Sequence, residues 1–341
     1  MGRGCRRLRT GGHHIHRLCT ATAAQSAHFH QCLRKAPEVK RVELDKSLNV
    51  TLPSLESLRL DGLNVAVIGG TGGIGRAFSH QLAARGANVL VVGQTFRDQD
   101  MPRITFMKAD LSSMRDARRI GSALPAGKMD IVVFTTGIMA GPKREVTGEG
   151  IERDLAVSYL SRRVILNEIA PRLGKDRARA DLRPRMFVMG FPGTEQRANV
   201  DDLNSERSYK RFAAHSNTVA GNEVLVIEAA SRFPDVDVFG LNPGFVKTNI
   251  RANLLGSRAL FAVVEWLTSF MMVEPDAYAE RLVPLLVSRD LNGRSGAMFN
   301  NKAEAILASP SSTEPSYAAA LMGASDRLVS RAMEGRAGKG A

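Results

Sequence analysis

Five glycines fall within seven residues, Gly69, Gly70, Gly72, Gly73 and Gly75. They stand between an apolar run and a helical pattern. The run, Val65-Ala66-Val67-Ile68, is short and unbroken, as in a parallel strand buried on both faces. Arg76-Ala77-Phe78 through Leu82-Ala83 opens a helix. Glycines let a backbone turn tightly and come close to a pyrophosphate, and a helix N-terminus offers free N–H groups to it. Alone, a glycine pattern says little. Flanked by strand and helix, it reads as the opening of a dinucleotide-binding βαβ unit, with Gly69, Thr71, Gly73, Ile74 and Gly75 against the ligand. The plainer alternative is a glycine-rich turn that holds nothing.

The residues that follow bear on which dinucleotide would fit. A site for NAD usually places an acid at the end of the second strand, on the ribose 2′-hydroxyl. Here Val89 to Val92 is followed by Gly93-Gln94-Thr95, without an acid, and Arg97 is close by. Arg76 follows the glycine turn. An acid would repel a 2′-phosphate, so its absence together with two cations favours NADP over NAD. Gln94 and Arg97 join the candidate cofactor contacts. Asp98 and Asp100 weigh against this preference.

Apolar strands alternate with helices through the body of the chain. Ile104 to Met107 is expected as the third strand, ending at Asp110-Leu111, and Ser112 as the cap of a helix to about Ala123. Ile131 to Phe134 is the fourth strand, followed by Thr135-Thr136-Gly137. Ile151 to Leu173 is a long helix and Met186 to Met189 the fifth strand. A helix over about 210–232 precedes the sixth strand, Val236 to Leu241, which ends in Asn242-Pro243-Gly244. This alternation implies an α/β fold, a doubly wound parallel sheet with right-handed crossovers in a single domain. The domain spans 61–308. Residues 38–60 read as a linker or short helix, and 309–341 as a C-terminal helix and tail.

Of 341 residues, 44% are hydrophobic, ample for one large core. The net charge of +13 is unevenly placed. Residues 1–37 hold seven of the 47 basic residues and no acid, so the remainder has 40 basic against 34 acidic residues. The basic balance belongs partly to the leader and is poor evidence for nucleic-acid binding by the body. Arginine-rich and acid-free, residues 1–37 resemble a mitochondrial presequence, with a disordered basic tail as the alternative. They lack the apolar core of a secretory signal, so the chain is expected in mitochondria or the cytoplasm and not secreted. Cys5, Cys19 and Cys32 all lie there, which leaves no disulfide framework for the body. His13, His14, His16, His28 and His30 match no zinc spacing, and no metal site is expected. No run of 18 apolar residues suggests a transmembrane helix.

Taken together, these motifs resemble the short-chain dehydrogenase/reductase superfamily, in particular its retinol-dehydrogenase-like and WW-domain-oxidoreductase-like branch, over about residues 61–300. The family's T-G-x-x-x-G-x-G falls on Ile68 to Gly75 with only the leading threonine lost. Its Asp-Leu, which contacts the adenine, matches Asp110-Leu111. Its Pro-Gly, which brackets the nicotinamide, matches Pro243-Gly244, with Val246 and Thr248 in their usual places. Thr136 and Gly137 fall in the turn after the fourth strand, where only the glycine keeps the family pattern. The resemblance implies a Rossmann-type three-layer fold, a nicotinamide cofactor and an oxidoreductase acting on a carbonyl or alcohol of a small apolar molecule. It also implies a homodimer through the long helices.

The catalytic positions depart from that pattern. Ser158 stands where the family has an asparagine, and the fifth strand ends Val188-Met189-Gly190-Phe191 without the serine. With Asp201-Asp202-Leu203-Asn204 and Val219-Ala220-Gly221-Asn222 in register, the tyrosine position is His215 and the lysine position Val219. Valine carries neither charge nor hydrogen bond. Histidine's ordinary pKa, near 6.5, suits general acid–base work without a lysine. One hypothesis is therefore an oxidoreductase with His215 as proton donor, assisted by Ser158. The other is a catalytically inactive nucleotide-binding scaffold or regulator, in which His215 merely packs on its helix. Tyr209-Lys210 are adjacent and would face different sides of a helix. Tyr159 and Arg163, four apart, read as a packing aromatic beside a solvated arginine. Leu260 to Val273, with Trp266 and Phe270, suits a lid over the substrate, a membrane-surface contact or ordinary core packing.

Overall fold

A computed structural model describes residues 42–244 and 273–334. The leader, Val246, Thr248 and nearly all of the Leu260–Val273 segment lie outside them.

Among the described residues eight strands form one sheet in the order β3-β2-β1-β4-β5-β6-β7-β8. They are β1 (Asn64–Ile68), β2 (Asn88–Gly93), β3 (Ile104–Lys108), β4 (Ile131–Phe134), β5 (Arg185–Met189), β6 (Asp237–Leu241), β7 (Met298–Phe299) and β8 (Ala305–Ile306). All neighbours pair in parallel except β7 with β8. The chain order reverses between β1 and β4, the place where open α/β sheets form a crevice at the carboxyl ends of their strands.

The apolar strands are buried on both faces because their side chains alternate between two cores. Val65 and Val67 point into one, with Phe78 and Leu82 of helix α1 (Gly73–Ala84) and Tyr278 and Leu282 of helix α5 (Pro275–Val287). Ala66 and Ile68 point into the other, with helices α2 (Met114–Ala123), α3 (residues 153–169) and α4 (Arg211–Arg232). Helix α6 (Pro315–Glu334) packs on this second side, with Tyr317 and Leu321 in the same core.

Several elements differ from expectation. Residues 42–60 are neither a free linker nor a helix but a strap along the body. Asp45 N donates to Ala305 O (2.9 Å), Thr51 N to Asp290 Oδ2 (2.8 Å), and Leu48, Val50, Leu52, Leu55 and Leu58 pack on the first core. Ser113, not Ser112, caps α2: its hydroxyl accepts from Asp116 N, while Ser112 Oγ donates to Asp110. Helix α3 begins at Arg153 rather than Ile151 and runs through Arg153–Leu155, a π-helical turn over Ala156–Leu160, and Ser161–Ile169. A 3₁₀ turn, Ala170–Arg172, ends it at Pro171.

Arg163 is not solvated. Its side chain is 4% exposed and reaches Asp326 of α6 at 2.7 Å. Beside it the Tyr159 hydroxyl bonds Ser325 Oγ at 2.8 Å. Gly221 of α4 permits this packing, since a Cβ there would lie 2.7 Å from the Tyr159 ring. Burial pushes the Tyr159 phenol up to about 12. The aromatic of α3 is therefore structural.

Candidate active site

The glycine turn sits at the carboxyl end of β1, where the chain crosses β4. Gly69 has φ +94 and a Cβ there would lie 2.5 Å from Thr136 N; one at Gly75 would run into Gly69 O and Thr135 Oγ1. These glycines are demanded by the protein's own backbone. Gly72 is different. A Cβ there would meet nothing within 4 Å, so its space opens to the crevice. It caps α1 without a side-chain hydrogen bond, and the first turn of α1 has no acidic residue. α2, by contrast, is capped by Ser113, and α3 by Glu152, which accepts from Asp154 N and Leu155 N. An uncapped helix end over an open glycine is a cradle for an anion. Thr136 Oγ1, beside Gly69, is buried and has no hydrogen-bond partner among the described residues. These features fit the pyrophosphate of a dinucleotide. Thr71 packs on Gly93, and Ile74 is buried beneath the turn.

At the end of β2, Gln94 is exposed and its amide reaches Asp110 Oδ1 at 3.4 Å. Burial pulls the Asp110 carboxyl up. The Ser112 hydroxyl and amide, with Gln94, outweigh that and leave it below its ordinary value. Leu111 turns into the core. Arg97 is exposed, but Arg76 is engaged: its Nη2 donates to Asp98 Oδ1 at 2.6 Å and its Nε to the same carboxylate at 2.9 Å. The side chain of Asp98 is 2% exposed and also lies 3.0 Å from His80 Nε2. Arg76 thus shares its charge with Asp98 and is only partly available to a 2′-phosphate. Gly244, after β6, has φ +63 and its N–H donates to Asn242 Oδ1 at 3.0 Å; Pro243 precedes it at the crevice edge.

The candidate catalytic residues come together through one that sequence reasoning missed. Asp154, wholly buried, accepts from three directions: Ser158 Oγ to Oδ1 (2.5 Å), Ala140 N to Oδ2 (3.2 Å), and His215 Nδ1 to Oδ2 (2.8 Å). Ser158 Oγ accepts in turn from Ile138 N at 3.0 Å. Its one proton serves Asp154, so Ser158 orients the carboxylate and has no proton left to assist a substrate. His215 is part-exposed, and Nε2 makes no hydrogen bond among the described residues.

Local structure explains how α3 delivers these groups. In an ordinary helix, residues four and eight apart drift around the axis. The wider π turn offsets that drift and lines up Asp154, Ser158 and Arg162 on one face. The sequence carried only part of this signal: Asp154, Ser158 and Arg162 are spaced by four, but Arg153, Ser161, Arg163, Asn167 and Glu168 on the same helix obscure it. Asn204 seats the start of α3, its Oδ1 accepting from Glu152 N at 2.7 Å. Asp202 accepts from the amides of Glu206, Arg207 and Ser208.

The remaining candidates are accounted for. Val219 is 3% exposed and belongs to the packed interior of α4. Tyr209 and Lys210 precede α4 instead of lying on it. The Tyr209 hydroxyl donates to Gly141 O at 2.6 Å, and burial, with Glu152 and Asp154 nearby, pushes it up to about 12, far from a working acid at neutral pH. No helix among the described residues is long and apolar enough to cross a membrane.

The doubly wound sheet, the glycine turn at its first strand and the crevice beside the topological switch define a nucleotide-binding α/β protein. The description "short chain dehydrogenase" matches residues 63–180. The chain is 47% identical over 275 residues to an uncharacterised oxidoreductase of Saccharomyces cerevisiae, covering 79% of this chain and 89% of that one. It therefore belongs to the short-chain dehydrogenase/reductase family and is an oxidoreductase of that kind. It is 26% identical over 304 residues to retinol dehydrogenase 14 of Mus musculus, covering 79% and 86% of the two chains. Among solved structures, an uncharacterised protein of Mycobacterium paratuberculosis superposes with a TM-score of 0.60 at 19% identity, over 82% of this chain and 98% of that one. The Pseudomonas aeruginosa RhlG/NADP complex superposes with a TM-score of 0.53 at 20% identity, over 71% and 95%. These likenesses bear on the fold.

Proposed function

We propose that the chain interconverts a carbonyl and an alcohol on a small apolar molecule with NADP as cofactor, and that His215 handles the proton. The observation that carries this reading is the 2.8 Å contact between His215 Nδ1 and Asp154 Oδ2. A carboxylate only accepts, so Nδ1 carries a proton and Nε2 is the atom that gives or takes one. In the reducing direction the imidazolium donates from Nε2 to the oxygen of the substrate as negative charge develops there. Asp154 stabilises that imidazolium and holds the ring in one orientation. Ser158 and the Ala140 amide hold Asp154 in turn.

The cofactor, when bound, supplies or accepts the hydride. Gly72 and the first turn of α1 would hold its pyrophosphate, and Asp110 its adenine, with Leu111 anchoring that turn in the core. Thr136, Gly137, Pro243 and Gly244 would flank the nicotinamide. Support for NADP is the lack of an acid at the end of β2, with Gln94, Arg97 and a half-exposed Arg76 at that edge. Retinol dehydrogenase 14 and a human polyprenol dehydrogenase, 22% identical, are relatives whose names denote apolar alcohols. A homodimer would have to use surface that α6 leaves free, because α6 takes up the Tyr159 hydroxyl and the Arg163 guanidinium.

A second reading, a nucleotide-holding protein without turnover, draws on buried Val219 and on Gly190, which supply no polar group to the crevice. One experiment separates the two. Oxidation of NADPH is followed with a panel of small apolar aldehydes and ketones, using the full chain and its His215→Ala and Asp154→Asn variants. We expect His215→Ala to lower kcat by about 10²–10⁴-fold. Asp154→Asn should lower it by about 10–100-fold, the worth of one charge-assisted hydrogen bond. Full turnover by His215→Ala sinks the assignment. Binding of NADPH with no turnover on any carbonyl favours the second reading.

A further inference from the structure

In a dinucleotide site the acid that accepts from the ribose 2′-hydroxyl comes about 20 residues after the glycine turn. Asp98 lies at about that separation, but its side chain is turned away from the ligand. It is 2% exposed, in a segment where Gln94, Thr95 and Arg97 are exposed. Phe96 turns in beside it and stacks on Phe106 of β3, with ring centroids 4.9 Å apart. Met101 N donates to Asp98 O at 3.1 Å and closes the turn.

The buried carboxylate is taken up by α1. Arg76 Nε donates to Oδ1 (2.9 Å) and Oδ2 (3.1 Å), and Nη2 donates to Oδ1 (2.6 Å). His80 Nε2, one helical turn further on, lies 3.0 Å from Oδ1. Hydrogen bonds from Arg76 hold the carboxyl below its ordinary value against the pull of burial, so Asp98 is charged at pH 7.

Only one edge of the guanidinium is used. Arginine carries its N–H donors in a rigid planar fork. Nη1 makes no hydrogen bond among the described residues, and the Arg76 side chain is 43% exposed. Arg76 follows Gly75 in the first turn of α1 and spans from there to the segment after β2. The glycine turn and β2 meet at this seam, where a Cβ on Gly93 would lie 2.7 Å from Thr71 Cγ2. In a doubly wound sheet the adenosine ribose of a dinucleotide lies along that seam. One edge of Arg76 is thus left for a 2′-phosphate, and Asp98 holds the other.

We propose that Asp98 sets how strongly this chain discriminates NADP from NAD: it orients Arg76 toward the 2′-phosphate while its own charge weakens the attraction. This rests on the NADP reading given above. Orienting Arg76 needs only an acceptor, whereas weakening the attraction needs a negative charge. Asparagine keeps the acceptor and removes the charge. NAD has no 2′-phosphate, so its binding is indifferent to the pair.

The test is equilibrium binding and needs no turnover. NADPH and NADH are titrated separately by calorimetry into the full chain and its variants at pH 7. Asp98→Asn should raise NADPH affinity by about 3- to 10-fold and leave NADH affinity unchanged. Arg76→Met should lower NADPH affinity by about 10-fold, again with NADH unchanged. Asp98→Ser, which also keeps an acceptor, replaces the asparagine variant if that one does not fold. Unchanged or lower NADPH affinity in a folded Asp98 variant overturns the role of Asp98. So does NADPH affinity that ignores Arg76→Met, or an equal change for both nucleotides. All three results leave the NADP reading standing if the native chain still prefers NADPH. A native chain that binds NADH more tightly, or neither nucleotide, overturns that reading itself.

Discussion

Gly72→Ala is the change that most directly probes the cofactor cradle. Its effect on the fold is small. The backbone there is extended, at φ −165, and a Cβ meets nothing within 4 Å. Alanine is a poorer helix cap than glycine but costs less entropy on folding. These effects oppose one another, and stability should change by less than about 1 kcal/mol. Binding is another matter. The methyl enters the space above the free N–H groups of α1 and pushes the pyrophosphate off one or two of them. Each charge-assisted hydrogen bond is worth about 1.5–3 kcal/mol, so NADPH affinity should fall by about 10–100-fold or more. Gly75→Ala is the contrast. Its Cβ would collide with Gly69 O and Thr135 Oγ1, so that variant should lose stability and binding together. The assay is a fluorescence titration with NADPH beside a thermal melt. Native affinity in a Gly72→Ala variant that melts normally would refute the placement of the pyrophosphate.

Two further outcomes follow from packing and charge. Tyr159→Phe removes the buried bond to Ser325 Oγ, which still donates to Leu321 O at 2.8 Å. It should cost about 1 kcal/mol and lower Tm by a few degrees, with little change in NADPH binding. The carboxyl of Asp98 is held below its ordinary value by hydrogen bonds from Arg76, opposed by burial and aided by His80. A lowered carboxylate stabilises the fold above its unfolded pKa, near 4, and that contribution is lost as pH falls through the lowered value. Asp98→Asn should therefore be less stable than the native chain at pH 7, with the gap closing below about pH 4. Equal melts at pH 7 would refute the ion pair's contribution.

The first six strands were legible because they are short apolar runs between turn residues, whereas the two-residue strands β7 and β8, paired antiparallel at the edge, are too short to show a pattern. Ile131–Phe134 matches residue for residue, and the other predicted strands differ by one residue at either end. Where the reading failed, the deciding partner was distant in sequence. Ser112 and Ser113 are equal as caps until Asp116 N selects the second. Arg163 looked solvated because Asp326, its partner, is 163 residues away. Leu48, Leu52, Leu55 and Leu58 recur at helical spacing, which suggests a short helix, but it is their distant partners in the first core that hold the segment as a strap. The glycine turn was readable, but not the division of labour within it. Gly69 and Gly75 are required by Thr135 and Thr136, whereas Gly72 is left open.

For the candidate site, the residues alone determined the order of βα units, the glycine turn and the loss of the usual polar groups at Gly190 and Val219. Those are matters of local composition and period, which a chain carries along its length. The tertiary structure decided what took their place. Asp154 and His215 are 61 residues apart and meet only because α3 and α4 pack side by side over the sheet. Arg162 reaches Thr136 O and Met189 O only because a π turn rotates it toward the strand ends. Proton affinity and charge depend on such neighbours and on burial. Spacing can nominate groups for chemistry, but packing sets their charge and aims them.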